Sequence, residues 1–227
     1  MLPLFSDFLN LFSARHCAVC GRPLSAGERS VCGGCLLGLP YMMEPDFYDN
    51  PVSRLLWAKM PLERAYSFLW YRKDDLSAPL LHQLKYRHRP DVGREMGRMM
   101  AHDLLARGFF ADVDAIVAVP LHWIRQFRRG YNQSQALALG VSEVTGIPVL
   151  QRWVKRVRNN ATQTRKTAAE RTANTEQLFR ARPGMPCRHV LIVDDVLTTG
   201  ATAASCASAI VQTNPHVRIS VLTLAKT

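Results

Sequence analysis

The strongest constraint on this chain is the stretch Val190–Thr202, which reads Val-Leu-Ile-Val-Asp-Asp-Val-Leu-Thr-Thr-Gly-Ala-Thr. A short β-branched run ends in two adjacent carboxylates, and a small hydroxyl-rich loop then precedes an apolar segment of helical character. This order predicts a buried parallel strand with two acids at its carboxyl end. The loop would gather backbone N–H groups at a helix N-terminus, where anions bind. Ligands of open α/β sheets lie at that end of the strands. A ribose 5-phosphate has hydroxyls for the acids and a phosphate for the loop.

The same stretch resembles the signature of type I phosphoribosyltransferases, which bind 5-phosphoribosyl-1-pyrophosphate (PRPP). The resemblance implies that the catalytic acids are Asp194 and Asp195 and that they meet the ribose hydroxyls. It also implies that the 5-phosphate is bound by Thr198, Thr199, Gly200, Ala201 and Thr202. A Cβ at Gly200 would obstruct the close approach of a phosphate.

The alternative for this stretch is a buried strand and an ordinary turn, with the acids capping the following helix. Paired acids after four apolar residues, followed by three threonines around a glycine, favour the phosphate site. A Walker A loop is excluded because the chain has no Gly-Lys-Ser/Thr at this place.

Four cysteines near the N-terminus form a second motif: Cys17, Cys20, Cys32 and Cys35. Two CxxC pairs separated by eleven residues can present four thiolates tetrahedrally to Zn²⁺. Two disulfides or a redox-active CxxC are the alternatives. The lack of a secretory signal disfavours disulfides, and a redox motif needs no second copy. The sequence therefore predicts a structural Zn²⁺ site, since four protein ligands leave no open position for chemistry.

The chain has 227 residues, a hydrophobic fraction of 48% and a formal net charge of +11. The hydrophobic fraction predicts a folded core, and the charge favours anionic partners such as nucleic acid, phosphorylated metabolites or a membrane surface. No apolar run reaches the length of a transmembrane segment. Residues 1–12 lack the basic start and the cleavage site of a signal peptide. They are expected to form a short amphipathic helix, either packed on its own domain or docked on a membrane or partner. We expect the protein to be cytoplasmic.

Strand and helix patterns alternate along most of the chain, which predicts an α/β fold with a mostly parallel, doubly wound sheet flanked by helices. The predicted strands are 64–72, 114–120, 148–150, 190–195 and 219–225. The predicted helices are 77–87, 92–106, 132–146 and 201–212. Four prolines within 36–63 indicate a connector with short turns.

A basic segment follows the predicted strand 114–120. Residues 121–134 supply Arg125, Arg128 and Arg129, whose guanidinium groups match phosphate oxygens bidentately. The alternative is a solvated basic loop. In phosphoribosyltransferases the corresponding loop binds the pyrophosphate, and the resemblance places that contact at Val119, Pro120 and Leu121, with Arg128 and Arg129.

A second basic segment, residues 152–182, contains nine basic residues and two acids. The transferase resemblance implies a flexible loop here that closes over the reacting centre, with candidate residues Gln163, Thr164, Arg165 and Arg171. Such a loop would alternatively follow a nucleic-acid backbone, or the charges would form a plain solvated face. Aromatic residues are almost absent from the segment, which disfavours base stacking.

Taken together, these motifs resemble the ComF/GntX family of bacterial proteins. The resemblance rests on the paired CxxC motifs, Leu-Leu-His-Gln-Leu-Lys-Tyr-Arg at 80–87, and the segments 119–134, 163–171 and 190–202. It implies an N-terminal helix and zinc-ribbon module over 1–50 and a type I phosphoribosyltransferase-like domain over 51–227. It also implies an association with natural competence and DNA uptake. The zinc region has only four cysteines, so a second metal site found in relatives should not be assumed here.

Two functions follow from these observations. One is binding of Mg²⁺-PRPP or a related phosphorylated sugar, with phosphoribosyl transfer to an acceptor that the sequence does not identify. The other is a non-catalytic module that binds single-stranded DNA, or an adaptor that contacts competence or helicase proteins through the zinc module. The sequence leaves open whether turnover occurs and whether the chain forms a homo-oligomer.

Overall fold

The computed structural model describes residues 15–157 and 178–227, with every side chain among them except that of Arg125. The elements in chain order are α1 Gly33–Leu37, α2 Pro51–Trp57, β1 Ala65–Trp70, α3 Ser77–Tyr86, α4 Pro90–Ala106, β2 Ala115–Ala118, α5 Trp123–Arg129, α6 Gln133–Thr145, β3 Val154–Arg156, β4 Phe179–Ala181, β5 His189–Leu197, α7 Ala201–Thr213 and β6 Arg218–Lys226.

The central sheet has the strand order β1-β6-β5-β2, and all three strand pairs are parallel. The predicted fold class, a mostly parallel sheet with flanking helices, is confirmed. Strand β5 is an inner strand, and its residues from Val190 to Val193 are fully buried. Covering a parallel sheet on both faces requires such a continuous apolar run, which explains why this strand was legible in the sequence.

Strand β5 is longer than its sequence pattern predicts. Pairing with β6 continues from Asp194 opposite Thr223 to Leu197 opposite Lys226. The two acids therefore lie within the last part of a hydrogen-bonded strand rather than immediately after it. This fixes the direction of their backbone more firmly than a loop would.

The prediction that 36–63 is a connector with short turns was wrong in part, because the segment contains the last two residues of α1 and all of α2. The side chain of Asn50 caps α2 by accepting hydrogen bonds from the backbone N–H groups of Val52 and Ser53. Pro51 occupies the first position of the helix, where its missing N–H costs nothing. The Asn-Pro pair was a helix start signal rather than a turn signal.

The basic segment 121–134 is not a loop throughout, since residues 123–129 form α5. The His122 ring accepts a hydrogen bond from the backbone N–H of Ile124 at the start of this helix. Gly130, with φ of +72°, ends it in the left-handed conformation that glycine adopts without strain. Asn132 then caps α6 through the N–H of Ser134.

Strands β3 and β4 form an antiparallel pair outside the central sheet. They lie near the two ends of the predicted flexible loop 152–182, so those ends are ordered strands. The predicted strand 148–150 is reduced to one parallel bridge between Ile116 and Val149.

Helices α4 and α6 pack with their backbones in contact. A Cβ at Gly97 would lie 2.2 Å from the carbonyl oxygen of Leu137, and a Cβ at Gly140 would lie 2.2 Å from that of Arg94. Only glycine fits at either position. This contact sets the distance between the two helices, and Ser134, in the first turn of α6, reaches β5.

The cysteine-containing region packs against α4 and the edge of the sheet. The backbone N–H of Ser30 donates to Glu95 Oε2 at 2.6 Å, and both residues are buried. Backbone hydrogen bonds from Met42 to Phe68 and from Trp70 to Pro40 fix the following segment along β1. Within the described ranges, no helix is long and apolar enough to span a lipid bilayer.

Candidate functional site

The carboxyl end of β5 holds the two acids that the sequence singled out. Asp194 Oδ1 accepts hydrogen bonds from the Ser134 hydroxyl at 2.8 Å and from the backbone N–H of Asp195 at 2.9 Å. Both carboxylates are partly buried. The two acids occupy successive positions of β5, at the edge where the sheet meets its loops.

Burial raises the pKa of Asp194 to about 7, and the negative charge of Asp195 acts in the same direction. The hydrogen bonds from Ser134 and from the Asp195 N–H favour the charged form but do not offset the burial. Asp194 therefore exchanges a proton near neutral pH. Such a carboxyl is suited to a ligand that brings its own hydroxyl donors.

Lys85 is a basic neighbour of the acid pair. Its Nζ lies 3.6 Å from Asp195 Oδ2, and both side chains are largely buried. The helical spacing of α3 turns Leu80, Leu81 and Leu84 into the core and leaves Lys85 at the strand end. Sequence analysis gave neither Lys85 nor Ser134 a role, although Lys85 lies within the 80–87 motif that carried the family resemblance.

The predicted phosphate loop, residues 198–202, follows β5 directly and leads into α7. Gly200 has φ of +77°, and a Cβ there would lie 2.8 Å from Leu56 Cδ2. Backbone conformation and close packing thus require the glycine, independently of any phosphate. The Thr199 hydroxyl accepts a hydrogen bond from the N–H of Ala201, and Gly200 offers the helix no side-chain cap. The first turn of this 13-residue helix is open to an anion.

The structure brings the predicted pyrophosphate segment beside the acid pair. The backbone N–H of Val119 donates to the carbonyl of Val193 at 2.9 Å, and the Asn132 side-chain amide donates to the carbonyl of Val119 at 3.0 Å. Pro120 and Leu121 line a groove of about 400 Å³ at this end of β2. Val119 is therefore held next to β5 by hydrogen bonds of both its N–H and its carbonyl group.

The two predicted arginines of this segment have different surroundings. Arg129 donates to the Gln133 side chain at 2.9 Å, and its guanidinium carbon lies 5.6 Å from the centre of the Tyr86 ring. Arg128 is exposed on α5. The predicted loop residues Gln163, Thr164, Arg165 and Arg171 lie outside the described residues.

Exposed aromatic side chains on α5 are a feature that sequence analysis missed. Trp123 is 71% exposed and Phe127 is 86% exposed. Trp123 lines the same 400 Å³ groove as three basic residues near β3: Arg152, Lys155 and Arg156. The aromatic and basic groups come from segments about thirty residues apart, so a search within 152–182 alone could not find the combination.

The four N-terminal cysteines form one cluster, as their spacing predicts. Their Sγ atoms all lie within 4.8 Å of one another, and the Sγ atoms of Cys20 and Cys32 are 3.8 Å apart. Four thiolates at about 2.3 Å from a zinc ion would be separated by about 3.8 Å, so the cluster fits a tetrahedral metal such as zinc. Cys187 and Cys206 are not part of this group.

Backbone N–H groups prepare two of these thiols for metal binding. The N–H of Cys35 donates to the Cys32 sulfur and lowers the pKa of Cys32 to about 6. The N–H of Cys32 donates in turn to the Cys17 sulfur at 3.3 Å. Such N–H···S contacts favour the thiolate, which is the form that binds a metal. Burial instead raises the pKa of Cys35 in the metal-free cluster.

Comparison with known proteins gives consistent matches over nearly the whole chain. The DNA utilization protein YhgH of Escherichia coli K12 is 30% identical over 222 residues, covering 93% of this chain and 96% of that protein. YhgH of Salmonella typhimurium is 32% identical over 217 residues, covering 93% and 90%. Competence protein F of Haemophilus influenzae is 30% identical over 212 residues, covering 86% and 89%.

Among solved structures, glutamine PRPP amidotransferase from B. subtilis, complexed with ADP and GMP, aligns with a TM-score of 0.43 and 20% identity. The alignment covers 63% of this chain and 30% of that one. A structure described as the allosteric regulatory enzyme of purine biosynthesis aligns with a TM-score of 0.41 and 21% identity, over 63% and 29% of the two chains. A scan against protein-family models matches none.

We expect Cys32→Ser to lower the zinc content of the purified protein to well below one ion per chain and to lower its melting temperature by several degrees. The substitution removes one of four ligands, and metal affinity contributes directly to folding of a small metal site. Atomic absorption and thermal denaturation measure both effects. Cys187→Ser, outside the cluster, is the matched control and should keep its zinc. A Cys32 variant with full zinc content and unchanged melting would refute the metal site.

Asp194 should make the folded protein less stable as the pH rises from about 4 to about 7. Its pKa is raised from 3.8 to about 7 on folding, so the folded state holds the proton more tightly. The stabilisation is complete below about pH 4 and is lost as the pH rises through about 7. Urea denaturation at several pH values, without Mg²⁺ or phosphorylated ligands, should show a weaker decline for Asp194→Asn than for the wild type. Asp103→Asn, on the surface of α4, should keep the wild-type slope, and an Asp194 variant that also keeps it would contradict the assignment.

Proposed function

This chain belongs to the family of the DNA utilization protein YhgH and competence protein F, and from that premise we propose that it binds PRPP, or a related ribose 5-phosphate, at the carboxyl end of β5. The names of these relatives associate the family with competence and DNA utilization. We propose a role for this chain in the same processes, with the phosphorylated sugar as its small-molecule ligand.

One observation carries the proposal: the acid pair and the open N-terminus of α7 lie at the same end of one buried strand. Asp194 and Asp195 offer acceptor oxygens at a fixed spacing to two neighbouring ribose hydroxyls. Residues 198–202 offer backbone N–H groups and threonine hydroxyls to the 5-phosphate. A ligand with a diol and a phosphate a few ångströms apart meets both.

The pyrophosphate of PRPP would lie toward β2. Backbone groups of Val119–Leu121 are held beside β5, and Arg128 and Arg129 on α5 carry positive charge to that side. A Mg²⁺ ion bound with PRPP would help to neutralise the negative charge of the departing pyrophosphate. Asp195 keeps a cationic neighbour in Lys85, which offsets its charge before any ligand arrives.

If the site turns over, the bond between ribose C1 and the pyrophosphate oxygen breaks, and pyrophosphate leaves with the electron pair. An acceptor nitrogen forms the new bond to C1 and releases its proton to solvent. The acids near the ribose would stabilise the positive charge that develops on the ring, while the arginines hold the leaving group. Catalysis of this kind depends on positioning and electrostatics rather than on a dedicated base.

We propose that the cysteine cluster supports this domain structurally. Four cysteine ligands leave zinc no open position, and the buried hydrogen bond between Ser30 and Glu95 ties the cluster region to α4. A segment of this size has little core of its own, so the metal would supply much of its folding free energy. The proposed module spans residues 1–50.

Asp195→Asn should weaken PRPP binding at least about tenfold, because an amide places a donor where a ribose hydroxyl needs an acceptor. Calorimetric titration of the zinc-loaded protein with PRPP and Mg²⁺ measures the effect. Asp103→Asn is the control for the charge change. Equal affinity of Asp195→Asn and wild type would overturn the ribose site.

The exposed aromatics of α5 favour a second candidate function, binding of single-stranded DNA. Trp123 gives a base a flat surface to stack on, and Arg152, Lys155 and Arg156 on the same groove suit a phosphate backbone. Trp123 and Phe127 are 71% and 86% exposed, against 61% for Tyr86. Binding of this kind would be strongly salt-dependent.

We expect Trp123→Ala to weaken binding of a short single-stranded oligonucleotide about fivefold or more, the loss typical of one stacked base. Fluorescence anisotropy at two salt concentrations measures the affinity and its salt dependence. Trp57→Ala is the matched control, since Trp57 is 51% exposed on α2, away from the groove. Equal losses in both variants would mean that Trp123 has no specific role.

A further inference from the structure

A cavity of about 770 Å³ lies between the cysteine-containing region and helices α4 and α6. Its volume is within the range of small-molecule sites. Among the described residues that line it, none is proposed above to hold the ribose, the 5-phosphate or the pyrophosphate. The cavity is therefore separate from the candidate site at the end of β5. Its charged lining comes from the cysteine-containing region and from α4: Arg15, Arg29, Asp91, Arg94 and Arg98.

The α4 side of the cavity carries two arginines that share one carboxylate. Glu143 Oε1 lies 3.2 Å from Arg94 Nε, and Glu143 Oε2 lies 2.6 Å from Arg98 Nη1. The two guanidinium groups are thus close enough together to bind the same anion. A guanidinium has five N–H donors, so each arginine keeps donors that this single carboxylate does not use.

The other two arginines of the cavity have no acidic partner. Arg15 and Arg29 are exposed, and no described residue forms an ion pair or a hydrogen bond with either side chain. Asp91 is the one acid among the described lining residues, and Arg89 already binds it through Nε at 2.9 Å and Nη2 at 2.7 Å. With Glu143 set against one of its two arginines, three positive charges remain uncompensated at the cavity.

This excess of positive charge indicates a ligand with more than one phosphate group. A single phosphate ester carries about two negative charges at neutral pH, which is less than the cavity can balance. Linked phosphates supply more charge, and arginine forks bind their oxygens in pairs. A terminal phosphate also offers three acceptor oxygens to these donors, against the two of a carboxylate.

The lining favours a free small molecule over a nucleic-acid strand. Single-stranded nucleic acid is held largely by stacking of its bases on accessible aromatic rings. Tyr131 is the one aromatic side chain among the described lining residues, and it is partly buried, with its hydroxyl donating to the carbonyl of Leu84. The arginines come from two separate parts of the chain and converge on one cavity, which suits a compact anion.

We propose that this cavity is a second anion site, which binds a small molecule with two or more linked phosphate groups. The guanidinium groups of α4 hold the phosphates from one side, and those of the cysteine-containing region hold them from the other. The bound anion therefore ties this region to α4. The inference goes beyond the proposed function and does not depend on it. The rest of the ligand packs on the apolar part of the lining, which consists of Pro90, Ala136 and Leu139.

Calorimetric titration of the full zinc-loaded chain with tripolyphosphate tests the proposal, with orthophosphate and citrate as comparison probes. We expect saturable binding of tripolyphosphate, at least about tenfold tighter than that of either comparison probe. Equal affinity for orthophosphate would overturn the need for linked phosphates, and equal affinity for citrate would overturn the assignment to phosphate. If tripolyphosphate shows no saturable binding, the site itself is wrong.

A double variant, Arg29→Gln with Arg94→Gln, removes one positive charge from each side of the cavity. Tripolyphosphate affinity should fall at least about tenfold, because charge-assisted hydrogen bonds are lost on both sides. Both side chains are exposed, so the variant should keep its fold, which thermal denaturation without ligand checks. The matched control is Arg182→Gln with Arg188→Gln, which removes the same charge from exposed positions before β5. Equal affinity of the variant and its control would mean that the anion binds elsewhere.

Titration with ribose 5-phosphate, which has a single phosphate, separates this site from the proposed ribose site. Its affinity should be the same in the double variant and the wild type. A parallel loss would assign the arginines to the ribose site and overturn a second site. If ribose 5-phosphate and PRPP fail to bind the wild type, the proposed function fails, while the tripolyphosphate result still decides this proposal. Arginine-dependent binding of a short single-stranded oligonucleotide, without binding of tripolyphosphate, would overturn the small-molecule ligand.

Discussion

The parallel pairing of β5 with β2 on one side and β6 on the other is the constraint on which the candidate site depends. The pairing buries Val190–Val193 completely and leaves Asp194 and Asp195 at the polar end of the strand. It also brings the residues after β2 and after β1 to the same edge. Successive side chains of a strand point to opposite faces of the sheet. A shift of β5 by one residue would therefore separate Asp194 from Ser134 and Asp195 from Lys85.

The acid pair makes an unfavourable electrostatic contribution to the stability of the folded protein. Burial disfavours the charged form of Asp194, and the negative charge of Asp195 adds to this effect, so the pKa of Asp194 is raised. Ser134 and Lys85 reduce this conflict without removing it. A folded protein that keeps such a pair without a ligand retains unfavourable electrostatics that a polyhydroxyl ligand or a cation relieves.

The sequence predicted the central strands and the helices α3, α4, α6 and α7 because their apolar patterns are long and regular. The cysteine cluster and the acid pair followed by the threonine-rich loop were also predicted correctly, because each lies within a short segment of the chain. Short helices were not: α2 begins with the Asn50 cap inside a segment whose prolines indicated turns, and α1 lies among the cysteines and covers only five residues. The same holds for α5, where closely spaced arginines concealed a helix.

The sequence could not show which side chains from distant parts of the chain meet at the site. Lys85 meets Asp195 across 110 positions of the chain, and Ser134 meets Asp194 across 60. The 400 Å³ groove combines residues from the end of β2, from α5 and from β3. Such combinations depend on strand order, and the order β1-β6-β5-β2 is not encoded in any one segment.

The glycine contact between α4 and α6 has a consequence for how the site tolerates sequence change. Because Gly97 and Gly140 bring backbone against backbone, no side chain acts as a spacer between the two helices at that point. The spacing of α6, the helix that carries Ser134, from α4 is therefore set by main-chain atoms, which every sequence shares. A side chain larger than glycine at either position would push the two helices apart.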